Sequence, residues 1–222
     1  MSEGSDRRAR KKAATRALVL ETAQRLFAQR GFEAVTIAGI AATADVAVQT
    51  VFNHFATKEE LFFSGRTPWV QAPAEAVRSR AAGTPPLSAL RSALVAEVEG
   101  HIGGLSDPAH RGMVTTLAAS PALQTFEREL NDQARARLQD ALVHAWSAAE
   151  EDRRPRNVHL TAALVAATWM AAIRTVAAEA REPMPEPAEV TERTRAAVAL
   201  TDEVLGRLET ALRTSSAVDP RD

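Results

Sequence analysis

The chain has 222 residues, 45% of them apolar, and a formal net charge of −1, so it can form a small head and a larger body, while its overall charge favours no particular partner. It contains no cysteine, which excludes disulfides, thiolate metal sites and cysteine nucleophiles. No run of about 18 apolar residues and no apolar leader with a cleavage site is found, so neither a membrane-spanning helix nor a signal peptide is expected and a cytoplasmic location is assigned.

Alanine is abundant and apolar residues never alternate over long stretches, which predicts an all-α fold. Residues 1–12 read as a disordered basic arm. Residues 7–16 hold six basic side chains and no acidic one, whereas residues 61–222 hold 18 basic and 21 acidic. Taken alone, such an arm is a solvated tail; beside a DNA-reading head it adds salt-sensitive phosphate contacts and can reach the minor groove. A first helix is predicted over residues 13–30, with Leu18, Val19, Thr22, Ala23, Leu26 and Phe27 on one face and Gly31 ending it.

Thr36 precedes Ile37, Ile40 and Ala41 as the N-cap of a short second helix to about Ala42, and Asp45 marks the break after it. A third helix is expected over residues 47–53. Val46, Val51 and Phe55 can face inward from it, leaving Val48, Gln49, Phe52 and Asn53 outside. So short a helix must be held by packing against the first two, and an exposed, polar-enriched face on such a helix is the geometry of a recognition helix. Thr57 caps the next helix, with Lys58, Glu59 and Glu60 in its first turn and Pro68 and Pro73 bounding it.

Farther on, Thr84 reads as the cap of a helix through Pro85 and Pro86 to about His101. Gly103, Gly104 and Pro108 read as a loop, residues 109–119 and 121–150 as two helices, and residues 151–156 as a linker. Two final helices are expected over residues 158–181 and 189–212, separated by Pro183, Pro185 and Pro187. The organisation is thus an arm (1–12), a helix-turn-helix head (13–60), a body (61–214) and a flexible tail (215–222).

The string from Gly31 to Leu61, GFEAVTIAGIAATADVAVQTVFNHFATKEEL, resembles the TetR family of bacterial regulators. The family's pattern is met by Gly31-Phe32, Thr36, Ile40-Ala41, Asp45-Val46, Thr50, Phe52-Asn53-His54-Phe55, and Lys58 with Leu61. Three positions depart from it: Asp45 replaces the usual turn glycine, Ala47 the usual serine, and Phe52 the common tyrosine. Asp tolerates the left-handed turn, whereas the other two changes each remove a hydroxyl that can contact phosphate.

The predicted DNA-binding residues are Thr36, Ala47, Val48, Gln49, Thr50, Phe52, Asn53, His54 and Lys58. Gln49 can pair with adenine in the major groove, and Thr50 can meet a base, a phosphate or, through its methyl, thymine; otherwise Thr50 bonds back to its own helix. Val48 and Phe52 either touch thymine methyls or sugar or, for Phe52 especially, pack beneath the third helix. Asn53 is a donor to phosphate or a base edge. His54 resembles the family's phosphate-contacting histidine. Lys58 lies at a helix start that already favours phosphate, and Thr36 can serve as both cap and contact.

One short recognition helix reads few bases, so a homodimer on palindromic duplex DNA is expected, with half-site centres about 34–36 Å apart or a multiple of that. The resemblance implies that the last two helices pair with a second copy. Their stripes are Leu160, Leu164, Ala167, Ala171, Ile173 and Val176, then Val190, Ala197, Leu200, Val204, Leu208 and Leu212; periodicity alone fits a core equally well. It also implies an inducer pocket among the middle helices, for which Leu94, Val98, Met113, Leu117, Phe126, Leu130, Trp146, Trp169 and Met170 are the candidates. A mostly apolar or aromatic small molecule is expected there, releasing a repressor from its operator. His101, His110, Arg111, His144 and Arg174 can supply a polar contact.

An enzyme is disfavoured: Glu127, Glu129 and Asp132 read as a solvated face, and no metalloprotease, nucleophile-elbow, phosphate-loop or dinucleotide pattern is present. No cofactor, metal or membrane partner is expected. A ligand-independent regulator or activator, or a helical protein-interaction module, are the alternatives.

Overall fold

A computed structural model describes residues 3–150 and 154–217, with side chains described from residue 6 to residue 212. The described helices are α1 (Glu3–Arg30), α2 (Ile37–Thr43), α3 (Val48–Phe52), α4 (Lys58–Phe63), α5 (Ala72–Arg78), α6 (Pro86–Gly103), α7 (Pro108–Ala119), α8 (Pro121–Ser147), α9 (Val158–Arg181) and α10 (Val190–Ala217), with 3-10 turns at Pro68–Val70 and Gly104–Ser106. The fold is all-α. Two compact units divide it: Met1–Thr67 with Arg111–Glu127, and Pro68–His110 with Arg128–Asp222.

The first unit is built around one face of α1. Val19, Ala23, Leu26 and Phe27 are buried, as are Ile40 and Ala41 of α2, Val51 of α3, Phe55, and Leu61 and Phe62 of α4. Phe27, Phe32 and Phe62 form a three-ring cluster with centroids 5.3–5.9 Å apart. Phe63 packs on Phe62 at 5.2 Å and stacks on Phe126 at 5.5 Å, so the start of α8 closes this core. The buried Ser120 hydroxyl donates to Glu33 Oε1 at 2.5 Å, a second tie between residues 111–127 and the N-terminal helices. Leu18, expected on the same face, is 48% exposed, whereas Thr22, also expected there, is buried.

In the second unit α6 runs between α5, α9 and α10. Leu90, Leu94, Val98 and Ile102 recur one turn apart along α6 and are all buried. Val165, Ala166, Trp169 and Ile173 of α9, Leu138 and Leu142 of α8, and Leu205 of α10 are buried in the same unit. Arg91 lies across α10, its guanidinium donating to both Asp202 carboxylate oxygens at 2.7 Å. Gly206 makes room for it, since a Cβ there would stand 3.1–3.3 Å from the guanidinium. At the other end of α6, His101 and His110 meet edge to face at 5.4 Å, and Arg181 Nη1 lies 3.4 Å from His101 Nε2.

Several elements differ from what the sequence predicts. Residues 3–12 continue α1 instead of forming a disordered arm. Residues 7–16 contain only Arg, Lys, Ala and Thr, with no Gly or Pro, and extending a nucleated helix costs far less than starting one; Asp6 adds a 3.4 Å pair with Arg10 one turn on. Thr84 does not cap α6, which starts at Pro86 with Pro85 extended before it at φ −60 and ψ 141. Two prolines preset this entry, and the residue ahead of a proline is driven out of the helical region. Residues 215–217 of the expected tail continue α10, and 218–222 lie outside the described residues, as do 151–153 of the expected linker.

Among the described residues one helix, α9, is long and apolar enough to cross a membrane by length and composition, contrary to expectation. Abundant alanine and leucine raise its hydropathy, while Ala162, Val165, Ala166, Trp169, Met170 and Ile173 form a buried face against α6 and α10. The apolar stripes of the last two helices divide in turn. Ile173, Val176, Val190 and Ala197 are core, whereas Leu160, Leu164 and Leu200 are about half exposed, and Ala167 and Ala171 continue the exposed face of α9.

Candidate nucleic-acid interface

The interface is assembled from α2, a tight turn and α3. Thr36, extended at φ −111 and ψ 155, accepts from the Gly39 N–H at 3.0 Å and so satisfies one free donor of α2. At the other end Asp45 takes φ 52, Val46 N–H donates to Ala41 O at 3.0 Å and Asp45 N–H to Ala42 O at 3.4 Å. This is a Schellman close with aspartate in the place glycine usually holds. It turns the chain abruptly into α3.

The helix α3 has five residues, an Ala47 N-cap without a side-chain bond, and a close at Asn53. Local interactions alone cannot hold so short a helix. Val51 and Phe55, 0% and 1% exposed, hold it in the core, and each full burial contributes roughly 1.5–3 kcal/mol. That orientation fixes what faces out. Val48 and Phe52, one turn apart, are 41% and 47% exposed, which places the Phe52 ring outside rather than beneath the helix. Ala47, Gln49 and Asn53 are exposed, and Thr50 and His54 are half-buried. Gln49 Nε2 donates to Asn53 Oδ1 at 3.2 Å, joining the two amides into one polar ridge beside the apolar one.

The entry to α4 braces this arrangement. Thr57 accepts from Glu60 N–H at 3.0 Å, and Glu60 Oε2 accepts from Ala56 N–H at 2.7 Å, a reciprocal cap. Lys58 is placed differently from its expected role. Its ammonium donates to Phe32 O at 3.0 Å and Val35 O at 3.1 Å and sits 4.1 Å above the Phe32 ring, so two of its three donors are committed to the main chain. Arg16, counted with the basic run, lies 4.5 Å over the Phe55 ring and donates to Ser64 Oγ at 3.1 Å. It supports the residue that anchors α3, a part its sequence context does not reveal.

The remaining basic residues, Arg7, Arg8, Arg10, Lys11 and Lys12, ride on the helical start of α1. A helix about 10–12 Å across does not enter a minor groove about 6 Å wide. The helical arm therefore suits phosphates along a strand and not the minor groove.

The nine pocket candidates fall in both units: Met113, Leu117 and Phe126 in the first, the others in the second. Leu94, Val98, Trp169 and Met170 are buried core, and Met113, Phe126 and Leu130 are partly exposed. A cleft of about 930 Å³ in the second unit, formed by residues 80–87 and the end of α8, touches Trp146 and none of the other eight. Arg80, Arg154 and Arg156 line its polar side. Among the described residues no group of three His, Asp or Glu side chains is arranged to hold a metal.

Residues 19–64 match the family model of bacterial regulatory proteins, tetR family. The HTH-type transcriptional regulator TcmR of Streptomyces glaucescens is 28% identical over 158 residues, 69% of this chain and 70% of TcmR. Two solved structures share the fold at 19% identity. They are SmeT of Stenotrophomonas maltophilia in its triclosan complex, with TM-score 0.54 over 85% of this chain and 90% of that one, and GusR of Salmonella enterica, with TM-score 0.53 over 88% and 95%.

Proposed function

We propose that this chain, whose residues 19–64 match the family model of bacterial regulatory proteins, tetR family, is a homodimeric cytoplasmic repressor that a small molecule releases from a palindromic operator. The observation that carries the proposal is the outward face of α3. Its five residues are held by buried Val51 and Phe55, and Val48, Gln49, Phe52 and Asn53 are left uncovered on the side opposite the core. A major groove about 12 Å wide admits such a helix.

Dimerisation is supported by the face that α9 and α10 leave open. Leu160 and Leu164 of α9 and Leu200 of α10, each about half exposed, with exposed Ala167 and Ala171 farther along α9, are small and apolar residues that a second copy would cover. Two copies would place two recognition helices on successive turns of the duplex. Release by a ligand is supported by the cleft beside Trp146, whose volume of about 930 Å³ lies within the range of small-molecule sites. The similar SmeT has been captured with triclosan, an aromatic compound, which agrees with an apolar or aromatic inducer.

Selection of duplexes from a random pool tests this function. A palindromic consensus, bound by two chains and weakened by Gln49→Ala, is expected. Retention of every sequence alike, or of none at low salt, would sink it and leave a helical interaction module.

A further inference from the structure

The chemistry exposed on α3 also says which bases it accepts. From Ala47 to Asn53 the chain reads AVQTVFN, with no charged side chain. Guanine is most often read by Arg or Lys at its O6 and N7, and cytosine by Asp or Glu at its amino group. Neither reader is present on this helix. Lys58, the next cation along the chain, is turned back onto Phe32 O and Val35 O.

What α3 does present is two parallel ridges. Gln49 and Asn53 form the first, joined by their 3.2 Å amide bond, which leaves Gln49 Oε1 and Asn53 Nδ2 as an adjoining acceptor and donor. Adenine shows the complementary pair, an amino donor beside the N7 acceptor. Val48 and Phe52 form the second, with 41% and 47% of their surface open on a helix that buried Val51 anchors from the other side. The thymine 5-methyl is the apolar group on the major-groove edges of the bases, and burying it against these side chains removes apolar surface of both partners from water.

We infer that each half-site is read chiefly through A·T pairs, with thymine methyls seated against Val48 and Phe52 while the Gln49–Asn53 ridge meets an adjacent adenine edge. This rests on the DNA-reading role proposed above and assigns specificity to two apolar residues rather than to a charged one.

The test replaces single thymines of the selected duplex by deoxyuridine, which deletes the methyl and keeps every hydrogen bond, and measures binding of the full chain by fluorescence anisotropy at fixed salt. At one or two positions per half-site, wild-type affinity is expected to fall about fourfold per methyl, the value for one buried methyl group. Val48→Ala and Phe52→Ala, substitutions at exposed positions that leave the core intact, are each expected to abolish the deoxyuridine effect at one position and not at the other. Specific binding that tolerates deoxyuridine at every thymine, or a consensus whose half-sites lack thymine, would overturn this inference while leaving the regulator function in place. Failure to enrich any duplex would remove both.

Discussion

Lys58 separates two ways in which a cation can serve a DNA-binding head. Its ammonium makes two charge-assisted bonds, to Phe32 O and Val35 O, and sits 4.1 Å above the Phe32 ring. Each bond contributes roughly 1.5–3 kcal/mol and the ring interaction roughly 0.5–2, but Lys58 is half-exposed and the freed carbonyls regain water. We therefore expect Lys58→Met to weaken the head by about 2–4 kcal/mol. Hydrogen exchange of the Val51 and Phe55 amides, bonded to Ala47 O and Val51 O, reads that loss locally in the full chain, as exchange faster by about 30- to 700-fold. In a DNA titration affinity should fall while the slope of log K against log salt stays constant. Removal of one phosphate ligand from each of two protomers would instead lower that slope by about 1.8. Unchanged exchange together with the smaller slope would refute the bracing role and make Lys58 a phosphate ligand.

Three further outcomes are expected from the same structure. Burial, helped by the charges of Arg181 and His110, pushes His101 down to about 4. The unfolded chain then takes up a proton near pH 6.5 that the folded chain refuses, so stability should fall by about 3 kcal/mol from pH 6.5 toward 4; His101→Gln should flatten that segment in urea titrations across pH. Asp202 is held below the ordinary carboxylate range by its bond to Arg91, so its contribution is present at neutral pH and lost as acid protonates it. Asp202→Asn should remove that acid-side loss, as seen in thermal unfolding below pH 4. Asp45 at φ 52 should accept glycine with a gain of up to about 1 kcal/mol, whereas Asp45→Val should cost about 1–2 kcal/mol, both measured by denaturant midpoint.

The parts of this molecule that are locally determined can be read from the sequence. Thr36 and Thr57 announce their helices because a cap acts over three residues, and Asp45 marks its turn because few side chains tolerate that conformation. The outward direction of Val48, Gln49, Phe52 and Asn53 follows from Val51 and Phe55 turning inward. Non-local facts are not legible in this way. Nothing near Lys58 in the chain shows that carbonyls 23 and 26 residues earlier will occupy it. Apolar residues such as Leu94, Val98 and Trp169 suit a pocket wall and a solid core equally well, and both places leave them buried, as they are here. The basic run of α1 is ambiguous in sequence because charge repulsion and helix propensity oppose each other; the helix already formed by residues 13–30 decides the contest.

The joining of residues 111–127 to the N-terminal helices, through the Ser120–Glu33 bond and the Phe63–Phe126 stack, bears on how the proposed DNA-reading head can be handled. A fragment cut after Thr67 would keep residues 36–55 entire and yet lose Ser120 from Glu33 and Phe126 from Phe63. A protease nick within 68–110 would leave both pieces of the unit non-covalently paired, whereas deletion of 111–127 would strip it. The head is therefore not a cassette that can be lifted from the N-terminus, and chimaeras that exchange it must carry the second segment with the first.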